Sequence, residues 1–213
     1  MLSLVEIVDS LQGEGKYTGI PTTFIRLYGC NMYCAFCDSD YAKNGKRRNA
    51  SIETIMNAVY KLKNKHVCIT GGEPLLQDDI YPLIYELVEK QYTVSVETNG
   101  SIDIELDTYN RSFNYCMDMK CPSSKMAHRN KYSNLAKLLA KDELKFVISD
   151  YSDFMFALGV IKQYPTKASI ILSPVFDAEG NHNAVELASW MMENELPVTV
   201  RLGMQMHKII GIY

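Results

Sequence analysis

Short apolar runs rich in β-branched and aromatic residues alternate along this chain with longer amphipathic segments. Thr22–Gly29, His66–Thr70, Tyr92–Thr98, Tyr115–Lys120, Glu143–Ser149, Ala168–Phe176 and Pro197–Gly203 read as strands. Apolar residues at helical spacing predict helices over Ser51–Lys63, with Ser51 as N-cap, and over Ile80–Lys90, whose proline falls in the first turn where it is tolerated. Two more helices are expected over Asp153–Tyr164, despite Gly159, and Asn183–Asn194. This alternation restricts the chain to βαβ units around a parallel sheet. A length of 213 residues is short of the about 250 that eight such units need. The expectation is an α/β fold: one domain over residues 1–213, a partial, open (β/α) barrel with about six parallel strands, and no linker or internal repeat.

The unusual residues fall where strands end. A cysteine-bearing loop follows the first expected strand, "GGEP" (Gly71–Pro74) the second and "ETNG" the third, and "DMKCPSS" (Asp118–Ser124) closes the fourth. Ligands of parallel α/β sheets sit at the carboxyl ends of the strands. These stretches, far apart in sequence, would meet at one mouth.

Composition removes several alternatives. A net charge of −3 and a pI near 5.8 offer no electrostatic case for nucleic acid. No run reaches the length of a membrane span. The beginning of the chain lacks the basic region of a signal peptide, so a cytoplasmic, reducing setting is expected, where disulfides are disfavoured. Cysteines there more often bind metal or do redox chemistry. Cys68 and Cys116 read as small buried strand residues, and "KNGKRR" (Lys43–Arg48) as a solvated loop.

"GCNMYCAFCDS" places Cys30, Cys34 and Cys37 in the spacing C-x3-C-x2-C. A structural zinc site closes with four protein ligands, and a cubane iron–sulfur cluster usually takes four thiolates. Three leave a position open, and the spacing alone also permits a zinc site completed by a distant ligand. Combined with GGEP at a strand end, the pattern resembles the radical S-adenosylmethionine (SAM) enzymes. That resemblance implies a [4Fe–4S] cluster on Cys30, Cys34 and Cys37 whose open iron takes the amino and carboxylate groups of SAM. It further implies SAM contacts from Phe36, Cys37, Asp38, Gly72, Glu73, Asp118, Met119 and Lys120. The glycines would let the backbone approach the methionyl amino group. Read without the family, Glu73 is a surface charge or helix-start residue, and Asp118 and Lys120 a plain ion pair.

Further motifs narrow the resemblance. "SLQGEG" (Ser10–Gly15), Arg26, Asp38-Ser39, "DMKCPSS", "ELKFVI" (Glu143–Ile148) and "QMHKIIGIY" (Gln205–Tyr213) look like the 7-carboxy-7-deazaguanine synthase family across essentially the whole chain. The family converts 6-carboxy-5,6,7,8-tetrahydropterin to 7-carboxy-7-deazaguanine with loss of ammonia and depends on Mg2+. The resemblance implies substrate contacts from Gln12, Gly13, Glu14, Arg26, Thr70, His207 and the terminal carboxylate of Tyr213, and a magnesium contact from Ser39. Ser39 stands where the family usually has threonine; it keeps the oxygen a hard cation wants. The apolar Ile209, Ile210 and Ile212 are expected to pack over the mouth. Cys121 stands where other members often have proline and is not expected to ligate, since a closed cluster could not bind SAM. No acid or base residue is assigned. An external electron donor of flavodoxin or ferredoxin type and a homodimer follow by analogy. The rival readings are an activase of a glycyl-radical enzyme and a non-catalytic iron–sulfur or zinc module.

Overall fold

The computed structural model describes residues 1–106, 113–177 and 179–212. In chain order its elements are β1 (Leu2–Leu11), β2 (Pro21–Leu27), α1 (Tyr41–Asn44), β3 (Arg48–Ala50), α2 (Ile52–Leu62), β4 (His66–Gly71), α3 (Ile80–Glu89) and β5 (Thr93–Thr98). There follow β6 (Phe113–Met119), β7 (Glu143–Ile148), α4 (Tyr151–Gln163), β8 (Ser169–Pro174), α5 (Ala184–Glu193), β9 (Val200–Leu202) and α6 (Met206–Ile210). Among the described residues nine strands form one open sheet, in the order β3-β1-β2-β4-β5-β6-β7-β8-β9.

From β2 through β4 to β9 every pairing is parallel, as the alternation requires. The parallel part has one strand more than the expected six. β1, not among the runs expected as strands, pairs antiparallel with β2 and β3 at one edge. Its apolar residues alternate at the start, burying Leu2 and Leu4 against the core, and then give way to partly exposed charges such as Glu6.

The helices form where expected, within two residues. Ser51 caps α2 by accepting a hydrogen bond from Thr54 N at 3.1 Å, and Asp150 caps α4 by accepting from Asp153 N at 2.9 Å. Each satisfies an N–H that the first turn leaves without a partner. Their apolar faces bury Ile55, Val59, Leu83, Leu87, Phe154 and Ala157 against the sheet. Burial of one such side chain contributes roughly 1.5–3 kcal/mol. Between β6 and β7 the crossover is made of short 3-10 turns instead of an α-helix.

The end of the chain differs from expectation. α6 is a short helix, and Ile209 and Ile210 are 56% and 51% exposed, so they do not cover the mouth. The polar face of α6 is the one turned inward, which leaves its isoleucines outward. Tyr213 lies outside the described residues.

Candidate active site

A cavity of about 540 Å³ opens at the carboxyl ends of the parallel strands. The loop after β2 brings Cys30, Cys34 and Cys37 to its wall, together with Phe36, Asp38 and Ser39. All three thiols are half-buried. Burial pushes the Cys30 and Cys34 thiols up, and Lys120 beside Cys34 opposes this. Among the described residues no trio of His, Cys, Asp or Glu side chains converges closely enough for a single ion, as a closed zinc site would need. Three soft thiols set around open space suit a larger iron–sulfur group. Cys121 is 1% exposed in the apolar core and does not line the cavity. Cys68 and Cys116 are buried, as expected; Cys116 also reaches the cavity wall.

β4 lies parallel to β2, with Leu27 opposite Gly71. Gly71 has φ +133, and a Cβ there or at Gly72 would run into the backbone of Leu27 or Gly29. Gly72 N donates to Leu27 O at 3.1 Å and Glu73 N to Gly29 O at 2.8 Å. The glycine pair is therefore required by the crossing of the two loops, before any ligand is considered.

Glu73 corrects a second expectation. Its side chain is fully buried and does not line the cavity. Its carboxylate accepts from Leu75 N at 3.0 Å, Thr98 Oγ1 at 2.8 Å and Asn99 N at 2.6 Å. It thus ties the loop after β4 to the end of β5. Burial raises its pKa, and these three donors partly offset the rise. Met119 is a third correction: it is 2% exposed in the core and absent from the cavity wall, whereas Asp118 and Lys120 line it. Successive strand residues point to opposite faces, so the three could not all face one ligand.

The floor comes from the turn after β1. Because β1 is antiparallel, its end lies at the opposite end of the barrel from the cysteines, and Gln12, Gly13 and Glu14 rise into the interior beneath them. Glu14 pairs with Lys145 at 2.7 Å and accepts from Gln205 Nε2 at 2.6 Å. Lys145 also lies 3.6 Å from Asp118, which pairs with Lys120 at 2.9 Å. Burial opposes ionisation of Glu14, yet Lys145 and Gln205 hold its carboxyl below the usual range. Burial likewise opposes charge on Lys145, yet Glu14 and Asp118 keep its pKa well above the ordinary value. Both members therefore remain charged near neutrality.

Gln12 Nε2 donates to Glu97 Oε1 at 3.2 Å, and Thr70 Oγ1 to Glu97 Oε2 at 2.8 Å. Arg26 donates through Nε to Glu6 at 2.9 Å, and its guanidinium lies over the Tyr41 ring. The plain ion pair and a place on the cavity wall are thus both present. Asp38 pairs with Lys208 at 3.5 Å. Ser39 Oγ donates to Gly71 O at a long 3.4 Å, which leaves its oxygen weakly engaged. His207 lines the cavity against Gly13, where any Cβ would overlap its ring. Met206 N donates to Gly13 O at 2.9 Å, pinning α6 to the floor.

All the cavity-facing candidates except Glu73, Met119 and the undescribed Tyr213 come together here. Sequence reasoning assigned no role to Lys145, Glu97, Gln205, Lys208 or Glu6. For Lys145 a signal existed: a charged residue flanked by the apolar Leu144 and Phe146 in the middle of an expected strand.

A family model described as the radical SAM superfamily matches residues 24–114. The 7-carboxy-7-deazaguanine synthase of Methanospirillum hungatei is 39% identical over 215 residues, covering 99% of this chain and 86% of that protein. The protein of the same name from Koribacter versatilis is also 39% identical, covering 98% and 96%. The crystal structure of QueE from Escherichia coli superposes with a TM-score of 0.76 at 24% identity, covering 97% of this chain and 94% of that one. Streptococcus suis SuiB bound to S-adenosylmethionine gives a TM-score of 0.59 at 14% identity, covering 83% and 48%. The two structural likenesses speak for the fold alone.

Proposed function

This chain belongs to the 7-carboxy-7-deazaguanine synthases, radical SAM enzymes, and from that premise we propose how its residues divide the work. The reaction is the ring contraction of 6-carboxy-5,6,7,8-tetrahydropterin to 7-carboxy-7-deazaguanine with loss of ammonia. One observation carries the assignment of roles: the three-cysteine loop, the glycine shelf and the QGEG floor bound a single cavity.

Cys30, Cys34 and Cys37 hold the [4Fe–4S] cluster. When bound, the cluster and SAM supply the 5′-deoxyadenosyl radical. Phe36, Asp38, Gly72, Asp118 and Lys120 line the SAM side, and Glu73 acts from below by holding the loops after β4 and β5 in register. The pterin lies deeper. Arg26 spends one N–H on Glu6 and directs the rest of its fork to the substrate carboxylate. Gln12, Glu97 and Thr70 form a hydrogen-bonded set at the amino-pyrimidine edge, and His207 closes the pocket over Gly13.

Neither Glu14 nor Lys145 is tuned to exchange a proton near pH 7. The pair acts as a fixed dipole that orients the substrate in a site shielded from water. Ser39, whose oxygen is only weakly engaged by Gly71 O, would offer Mg2+ one hard oxygen of the kind that cation takes. Among the described residues no helix is long and apolar enough to cross a membrane. A cytoplasmic location and a homodimer complete the proposal.

The test is anaerobic turnover of 6-carboxytetrahydropterin by the reconstituted protein with SAM, Mg2+ and dithionite. Product formation with SAM regenerated is expected. Irreversible SAM consumption without 7-carboxy-7-deazaguanine would point to another radical SAM reaction.

A further inference from the structure

The turn after β5 reaches across to the cysteine loop through Asn99, which lines the cavity and is buried. Its backbone N–H donates to the Glu73 carboxylate at 2.6 Å. Its side-chain Oδ1 accepts from Ser101 N at 3.0 Å, which fixes the amide with its NH2 turned toward the cysteine loop. That NH2 donates to Asn31 Oδ1 at 3.1 Å and to Cys30 Sγ at 3.7 Å, a distance that suits the larger sulfur atom. Asn31 completes a ring by donating from Nδ2 to Ser101 Oγ at 2.8 Å.

Other contacts already join the two loops. Asn31 bonds Ser101, and Glu73, which holds Asn99 N, also donates from its own N–H to Gly29 O at 2.8 Å. The bond to Cys30 differs from these in falling on a sulfur. The oxygen and both donor positions of the Asn99 amide are engaged, so the N–H is held on Cys30 Sγ in a buried wall, where a hydrogen bond is electrostatically stronger than in water. A reduced [4Fe–4S] cluster carries one more negative charge than the oxidised one, spread over its sulfurs. A donor on a ligand sulfur therefore stabilises the reduced form more, and hydrogen bonds to the sulfurs are among the factors that set the potential.

Resting on the function above, which makes Cys30 a cluster ligand, we propose that Asn99 is a positioning residue that holds its amide N–H on the Cys30 sulfur and so raises the reduction potential of the cluster. Its effect passes through Cys30, and Glu73 and Ser101 set the place and the orientation of its amide.

The experiment is a redox titration of the anaerobically reconstituted full chain with dithionite, without SAM, followed by the EPR signal of the reduced cluster. Asn99→Asp keeps the shape and the oxygen that takes Ser101 N but puts a carboxylate oxygen where the donor was. Its reduced-to-oxidised ratio at the parent's midpoint should fall about tenfold, a shift of about 59 mV to lower potential for one electron. Asn99→Ala, which removes the donor and adds no charge, should lower the ratio about threefold. Ser101→Ala breaks the contact with Asn31 but leaves Ser101 N on Asn99 Oδ1, and it should titrate with the parent. Iron and sulfide content should equal the parent's in all three. A parent midpoint in Asn99→Ala would overturn the proposal, since a shift in Asn99→Asp alone reports only its added charge. So would a shift in Ser101→Ala as large as that in Asn99→Ala, because the joining of the loops, and not the donor, would then set the potential. Loss of the cluster from either Asn99 variant would overturn it as well, by making Asn99 a support of the cage. A parent protein that yields no reducible [4Fe–4S] signal would instead overturn the function on which the inference rests.

Discussion

Lys145→Met removes the central charge of the cavity floor while keeping most of its apolar volume. At an effective dielectric constant of about 20, a unit pair at the 2.7 Å of Lys145 and Glu14 attracts by about 6 kcal/mol. Desolvation of both groups cancels part of that. What remains on deletion is an uncompensated carboxylate: Asp118 keeps Lys120, but Glu14 keeps only Gln205. Breaking a buried pair from one side costs about 3–5 kcal/mol, and that is the loss expected in urea unfolding at pH 7. The sign of the pH dependence follows from the two shifts. Glu14, depressed in the folded state, contributes stability above its ordinary pKa of 4.5 that fades as pH falls through the folded value. Lys145, raised, contributes stability below its ordinary 10.5 that is lost as pH rises through the folded value. The pair therefore stabilises across the window between, and the deficit of Lys145→Met should shrink from pH 7 toward pH 4.5 as the stranded carboxyl takes up a proton. Glu14→Gln/Lys145→Met should recover part of the loss. A single variant within about 1 kcal/mol of the parent, or a double variant less stable than either single, would refute a buried, coupled pair.

Cys30→Ala, Cys34→Ala and Cys37→Ala should each lose nearly all reconstituted iron and sulfide, whereas Cys121→Ala, buried away from the cavity, should retain both by elemental analysis. Gly13→Ala forces the His207 ring aside and should raise the pterin KM about tenfold or more with cluster content unchanged, a loss of about 1.4 kcal/mol in binding; steady-state kinetics and iron analysis check this. Ser39→Ala should raise the Mg2+ concentration needed for half-maximal turnover several-fold while SAM binding, followed spectroscopically, stays close to the parent.

Local pattern was enough for the parallel strands, the four longer helices and the meeting of the cysteine loop, GGEP, ETNG and the stretch that opens at Asp118; QGEG entered only through the family resemblance. Period-2 and period-3.6 apolar spacing reports which face of an element must be buried, and in a parallel sheet strand polarity then sends every loop after a parallel strand to the same mouth. What the pattern lacked was everything decided between elements. β1 reads poorly as a strand because charged Glu6 and Asp9 interrupt its apolar run, and only its partners β2 and β3 make it one. Glu73 looks like a ligand in sequence, yet the donors that claim its carboxylate come from residues 98 and 99 as well as 75. The charged floor is assembled from Glu14, Asp118, Lys145 and Gln205, which no window of sequence contains together. A carboxylate or ammonium in isolation belongs in water; it becomes part of a site only when folding removes the water and supplies the opposite charge, and that pairing is a property of tertiary distance, which sequence spacing does not encode.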